Sequence, residues 1–438
     1  MSQFFCKLVF LFLLRISLSL SSQSLKFGNQ ILRDSGYADL IGRKVAILSN
    51  PTGVFADTLV HIVDDAFASK NVTVVAILSP EHGFRGDHQA ETGDPFIYVD
   101  EATRLPVLSA YDLSPEELSS ALKKLSVDCV LVDLQDAGVR LYTFVWTMYD
   151  VMQTVAMMQQ GQEQELNPLR VVIADRPNPL GGEVVDGPLL NLTCCGSGYG
   201  RAPITHIHGM TIGELALFFN DFFLGSSPSL HIEDLIIVRI EGWNRSSTWA
   251  DLSITTEDNS FWIPPSPNLP TFISNAAYGA TAFIEATTIA EGRGTTTPFT
   301  LFGAPFVNAT LLFSALNRAV STPDLSILPF RAAYFEPTYS KYNFTDCAGV
   351  QWVRQIVPSF KNAISILTTL RDTSPVGSFQ WDGSWFGHPG TELIDQYMGT
   401  PEVRKLIDAG EAAEYITAAF EPDSEAFKKT REPYLLYS

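Results

Sequence analysis

Five short runs in the first 240 residues are apolar on both faces, and they constrain the fold more than any other feature of the chain. They are Val-Ala-Ile-Leu at 45–48, residues 72–78, Cys-Val-Leu-Val at 129–132, Val-Val-Ile-Ala at 171–174 and residues 235–240. Runs of this length with no polar face suit strands of a parallel sheet covered by helices on both sides. The intervening text supplies the helices. Ser114-Pro115-Glu116-Glu117 opens one, with proline in the first turn and acids at the positive end of the helix dipole. Leu118, Leu122 and Leu125 mark its inner stripe. A second helix is predicted over 143–159, and Thr211-Ile-Gly-Glu214 is a capping box that opens a third. Strand–helix alternation of this kind predicts an α/β domain of doubly wound, Rossmann-like design with a mostly parallel sheet.

After about residue 261 the pattern changes. The proline-rich stretch at 264–270 cannot continue a helix and is expected to run extended. Short strands at 333–335 and 350–353 then mix with helices at 359–370, 391–398 and 411–420, which reads as a smaller α+β domain. The expected division is a leader at 1–22, the Rossmann-like domain at 23–262 and the second domain at 263–438.

The leader is expected to be a cleaved secretory signal. Lys7 precedes a short apolar stretch, Arg15 interrupts it, and small polar residues from Ser19 to Ser24 close it. Its apolar core is far shorter than the ~20 residues of a spanning helix, so no membrane insertion is expected once it is removed. Five sequons follow, at Asn71, Asn191, Asn244, Asn308 and Asn343, which predicts a secreted glycoprotein. Cys129 lies in a strand run and is read as a buried thiol, whereas Cys347 is a candidate to pair with Cys194 or Cys195. The formal charge of −19 becomes −21 when Lys7 and Arg15 leave with the signal. A surface of that sign repels nucleic acid and anionic membranes.

Ligands of doubly wound sheets bind beyond the carboxyl ends of the strands. The first four runs each stop there in a polar cluster, and these clusters contain Ser49-Asn50-Pro51, Glu81-His82-Gly83, Asp133 to Arg140, and Asp175 to Gly182. Four such loops on one sheet edge make a site, although Asp133 or Asp175 alone serves equally well as a helix cap. Glu291-Gly292-Arg293-Gly294 is a further polar run with two glycines, which suits either a loop that wraps a ligand from the second domain or merely a tight turn. Cofactor signatures are missing. Gly196-Ser-Gly198-Tyr-Gly200 lacks the dinucleotide spacing and follows no strand, and there is no phosphate-binding loop. His206-Ile-His208 has no third ligand at a matching spacing, so no metal is expected.

In this order the clusters resemble the exo-β-N-acetylmuramidase family. The matching text is Ser-Asn-Pro-Thr-Gly at 49–53, Ser-Pro-Glu-His-Gly-Phe-Arg-Gly at 79–86 and Leu-Gln-Asp-Ala-Gly-Val-Arg at 134–140. It continues with Asp-Arg-Pro-Asn-Pro-Leu-Gly-Gly at 175–182 and His-Gly-Met-Thr-Ile-Gly-Glu-Leu-Ala at 208–216. Pro-Ser-Pro-Asn-Leu-Pro at 265–270 and Glu-Gly-Arg-Gly-Thr-Thr at 291–296 complete it. Thr288 and Thr300 depart from the pattern, standing where an asparagine and an acid are expected. The resemblance implies hydrolysis of non-reducing-end N-acetylmuramic acid from peptidoglycan-derived saccharides in a cleft between two domains, without metal or nucleotide. A binding protein on the same scaffold that has lost turnover is the rival reading.

Glycosidic cleavage requires an acid for the leaving oxygen and a second group at the anomeric carbon. Glu81 is the candidate acid. Asp136, Asp133, Asp175 and Glu291 are candidates for its partner, and the sugar's own 2-acetamido group is another. His82, Arg85, Asp133, Arg140, Arg176, Asn178, Asn268 and Arg293 are the candidates for contacts to the sugar. Arginine's planar fork matches a carboxylate, so at least one of Arg85, Arg140, Arg176 and Arg293 is expected to hold the lactyl carboxylate of N-acetylmuramic acid.

Overall fold

The structure, a computed structural model, describes residues 25–89, 97–159, 168–226, 230–252, 261–320, 322–324, 326–388 and 390–438. The expected leader at 1–22 lies outside the described residues. The strands of the first domain are β1 (Lys44–Ser49), β2 (Thr73–Ser79), β3 (Ile97–Val99), β4 (Pro106–Ser109), β5 (Cys129–Asp133) and β6 (Arg170–Ala174). A two-stranded ribbon of β7 (Asp186–Leu189) and β8 (Thr205–Ile207) precedes β9 (Leu235–Val238). The main sheet has the order β3-β4-β2-β1-β5-β6-β9, and only β3 runs antiparallel to its neighbour. Counting the parallel strands alone gives 3-2-1-4-5-6, the Rossmann order, in which the winding reverses between β1 and β5.

The apolar runs become strands because both faces are covered. Ala46 and Leu48 of β1, Val130 and Val132 of β5, and Val171 and Ile173 of β6 face one core, against the helices Pro115–Lys124, Phe144–Gln159 and Ile212–Ser226. Val45, Ile47, Cys129, Leu131, Val172 and Ala174 face the opposite core, against Gly28–Asp34 and Ile62–Ala68. In strand β2 the alternation is interrupted where its pairing with β1 slips after Val45: Ala46 meets Ala76, and Val75 and Ala76 both pack against the first core. Strands β3 and β4 escaped the sequence reading because they are short, and β4 begins at Pro106, a strand position proline tolerates.

The second domain holds β10 (Leu301–Ala304), β11 (Phe330–Phe335) and β12 (Cys347–Trp352) as an antiparallel sheet of order β10-β12-β11. The first core continues into this domain without a break, through Phe302, Leu316, Ile364, Leu393 and Phe427. The final helix, Ala413–Arg431, runs on through Pro422, beyond the stop expected at residue 420. Tertiary contacts hold it there: Leu189 N–H donates to Asp423, Ser424 to the Gly187 carbonyl, and buried Arg431 to the carbonyls of Gly182, His208 and Gly209. All four described cysteines are free, which corrects the expected pairing of Cys347 with Cys194 or Cys195.

Candidate active site

A cleft lies where the loops after β2 and β5 meet the second domain. From the first domain it is lined by Glu81, His82, Tyr142 and Thr143, and from the second by Asn268, Tyr278, Glu285, Arg293, Phe299, Phe386 and Tyr397. Aromatic walls with a few polar groups among them are the usual make-up of a small-ligand site.

Glu81 stands on the turn that ends β2. The turn is tight, with His82 and Gly83 both in the left-handed region at φ 72° and 76°. Thr143, at the start of the Phe144–Gln159 helix, donates from Oγ1 to Glu81 Oε2 at 2.5 Å, so the helix that follows β5 fixes the carboxyl at the end of β2. His82 is buried beside the ring of Phe144, and burial pushes its imidazole below the ordinary range, which keeps it neutral.

The facing acid, Glu285, was not found in the sequence. It lies in the turn Ala282–Ala286 and is 1% exposed. Arg293 donates to its Oε1 from Nε at 3.0 Å and again from Nη2, and the Tyr397 hydroxyl donates to Oε2 at 3.3 Å. Burial raises the Glu285 carboxyl above its usual range, and Arg293 draws it down. Behind this pair, Glu291 lies 3.4 Å from Arg293 Nε and 3.2 Å from Lys341 Nζ. Arg293 sits over the rings of Phe299 and Phe386. Among the described residues its Nη1 has no hydrogen-bond partner.

Of the residues named from sequence, Glu81, His82, Asn268 and Arg293 meet in the cleft, where Asn268 donates to Gln89 at 3.1 Å. The others are engaged beneath it or away from it. Arg85 is gripped by Asp64 and Asp100. Arg140, fully buried, donates to the carbonyls of Tyr199, Gln396 and Tyr397 and so joins the two walls of the cleft from behind. Arg176 is paired with Asp133 at 2.5 Å, and both are buried. Asp136 accepts from the Gly138 N–H at 2.8 Å and pairs with His208 at 3.0 Å. Asp175 accepts from the N–H groups of Arg176 and Gly213 and from the hydroxyls of Thr211 and Tyr437. Asn178 caps the turn at Leu180 and donates to the Met210 carbonyl. His206 is bonded to the Gly279 carbonyl at 2.8 Å.

The crevice between β1 and β5, where a Rossmann sheet ordinarily takes its ligand, is therefore filled by protein. Ser49 and Asp133 are register partners at its mouth, and Asn29 and Arg176 close over Asp133. The site has moved outward, to the loops that carry Glu81 and Thr143 and to the second domain.

Residues 45–273 match the family model described as exo-beta-N-acetylmuramidase NamZ, N-terminal, and residues 276–437 match its C-terminal counterpart. The chain is 36% identical over 403 residues to the peptidoglycan beta-N-acetylmuramidase NamZ of Bacillus subtilis, covering 91% of this chain and 88% of that one. Two crystal structures of DUF1343 family proteins from Bacteroides fragilis share the fold. One is 26% identical with a TM-score of 0.75, covering 94% of this chain and 99% of that one. The other is 29% identical with a TM-score of 0.69, covering 95% and 99%. With both halves of the chain matched and the Glu81 loop set in a cleft between them, the chain belongs to the exo-beta-N-acetylmuramidase family of glycoside hydrolases.

Proposed function

We propose that this protein is a secreted, exo-acting hydrolase that releases N-acetylmuramic acid from the non-reducing end of peptidoglycan-derived saccharides. The observation that carries the reading is Glu81, held by Thr143 at the edge of an aromatic-walled cleft in a chain that resembles a peptidoglycan muramidase along most of its length. Glu81 is half-buried, so it reaches the cleft while remaining in exchange with solvent, as a residue that gives up and regains a proton must. It protonates the leaving oxygen. Tyr142, Tyr278 and Tyr397 line the cleft and supply aromatic surface against which a sugar can pack.

Recognition of the lactyl carboxylate falls to Arg293. Arg85, Arg140 and Arg176 are consumed by protein partners, whereas Arg293 lines the cleft with Nη1 to spare. A site built to pair a charge rejects the analogue that lacks it, because its own cation is left unpaired. Parallel kinetics on chromogenic muramic-acid and glucosamine glycosides test this. The wild-type protein should favour the muramic-acid glycoside, and Arg293→Lys should shrink that preference by about tenfold, the scale of one charged hydrogen bond. Equal cleavage of both sugars by the wild-type protein, or a preference untouched by the change, would remove Arg293 from this role.

Secretion is supported by the expected leader and by the sequons, whose five asparagines are all exposed. Asn191 and Asn308 cap short helices through Oδ1, an arrangement that leaves Nδ2 open to a glycan. Protein made in a eukaryotic host should appear in the medium and run faster on a gel after deglycosylation. Retention in the cell with unchanged mobility would contradict this part of the reading.

A further inference from the structure

Glu81 as acid leaves open which group meets the anomeric carbon, and we propose that Glu285 is the nucleophile of a two-step, retaining reaction. This inference rests on the muramidase reading above. The side chains that line the cleft include two carboxyl groups, Glu81 from the first domain and Glu285 from the second. The acids of the motif loops are spent elsewhere: Asp133 on Arg176, Asp136 on His208, Asp175 on four donors and Glu291 on Arg293 and Lys341. Glu285 has the surroundings a carboxylate nucleophile needs. Arg293 grips Oε1 through two nitrogens, while Oε2 takes only the longer bond from Tyr397 and keeps a lone pair for the sugar.

In the first step Glu285 Oε2 bonds to the anomeric carbon as the glycosidic bond breaks. The bonding electrons pass to the leaving oxygen, which takes the Glu81 proton. In the second step water gives its proton to Glu81 and bonds to the anomeric carbon, and the ester electrons return to Glu285. One water is consumed and the β configuration is restored. Arg293 on Oε1 and Tyr397 on Oε2 act as positioning residues for the carboxylate.

Proton NMR of wild-type turnover on a β-N-acetylmuramic acid glycoside should show the β-anomer of the free sugar first. Glu285→Gln should cut turnover by ~10³-fold or more, the scale of losing a covalent nucleophile. Glu285→Ala supplied with azide should form the α-glycosyl azide. A 5-fluoro muramic acid glycosyl fluoride should trap the wild-type enzyme as an ester on the peptide containing residues 282–286, a measurement that needs no variant to fold. First release of the α-anomer, an ester on another acid, or near-normal turnover by Glu285→Gln would overturn the assignment. If the wild-type protein releases no N-acetylmuramic acid from any β-glycoside, the muramidase reading itself fails. If it does so with inversion or is labelled elsewhere, only the role of Glu285 falls.

Discussion

Replacing Glu81 with glutamine should lower turnover by ~10²–10⁴-fold on substrates with a poor leaving group, while binding and folding survive. Glutamine keeps the size of the side chain and an oxygen that can accept from Thr143, so the 2.5 Å contact that anchors residue 81 need not be lost. What goes is the proton for the glycosidic oxygen. The loss should therefore depend on the aglycone. An alkyl glycoside, which needs the proton, should suffer the full effect, and a dinitrophenyl glycoside, which leaves unaided, should suffer far less. Equal losses on both substrates, or near-normal rates on the poor leaving group, would move the acid's role away from Glu81.

A second large effect is expected at the filled crevice, and there it should appear in stability. Asp133 and Arg176 have side chains 0% and 2% exposed, and Asp133 also accepts from Asn29 at 3.0 Å. Asp133→Ala strands a guanidinium in the interior, which costs about 3–5 kcal/mol when one member of a buried pair is removed. Exchanging both residues for apolar ones, Asp133→Leu with Arg176→Met, should recover much of that loss, since the unpaired charge is gone. Urea unfolding measures the stability, and kinetics normalised to folded protein should remain within a few-fold of wild type. Unchanged stability together with lost turnover would instead place the pair in the chemistry.

These two outcomes mark where the sequence was legible and where it was not. The sheet could be read because Val45 to Leu48, Cys129 to Val132 and Val171 to Ala174 are buried on both faces and alternate with helical segments, the pattern of a covered parallel sheet. The capping box at Thr211 and Glu214 was equally legible, because both of its hydrogen bonds are local. The motif loops showed that polar chemistry gathers at one sheet edge, but not which side chains turn toward a ligand. Arg85 is held by Asp64 and Asp100, 21 and 15 residues away, and Arg140 by carbonyls 59, 256 and 257 residues away. Partners that distant leave no mark on the local text. Glu285 was missed for the opposite reason. It is a lone acid in the apolar run Ala-Phe-Ile-Glu-Ala, and its meaning comes only from Arg293 and Tyr397, which the fold brings to it.

The most direct test of the central claim is the identity of the sugar set free. Soluble peptidoglycan saccharides should be prepared in two forms, one ending at the non-reducing end in N-acetylmuramic acid and the other in N-acetylglucosamine, and incubated with the purified protein. Mass spectrometry of the products should show free N-acetylmuramic acid from the first form, each product chain one sugar shorter, and no reaction with the second. Internal cleavage, release of N-acetylglucosamine from the second form, or inert substrates in both tubes would contradict the account.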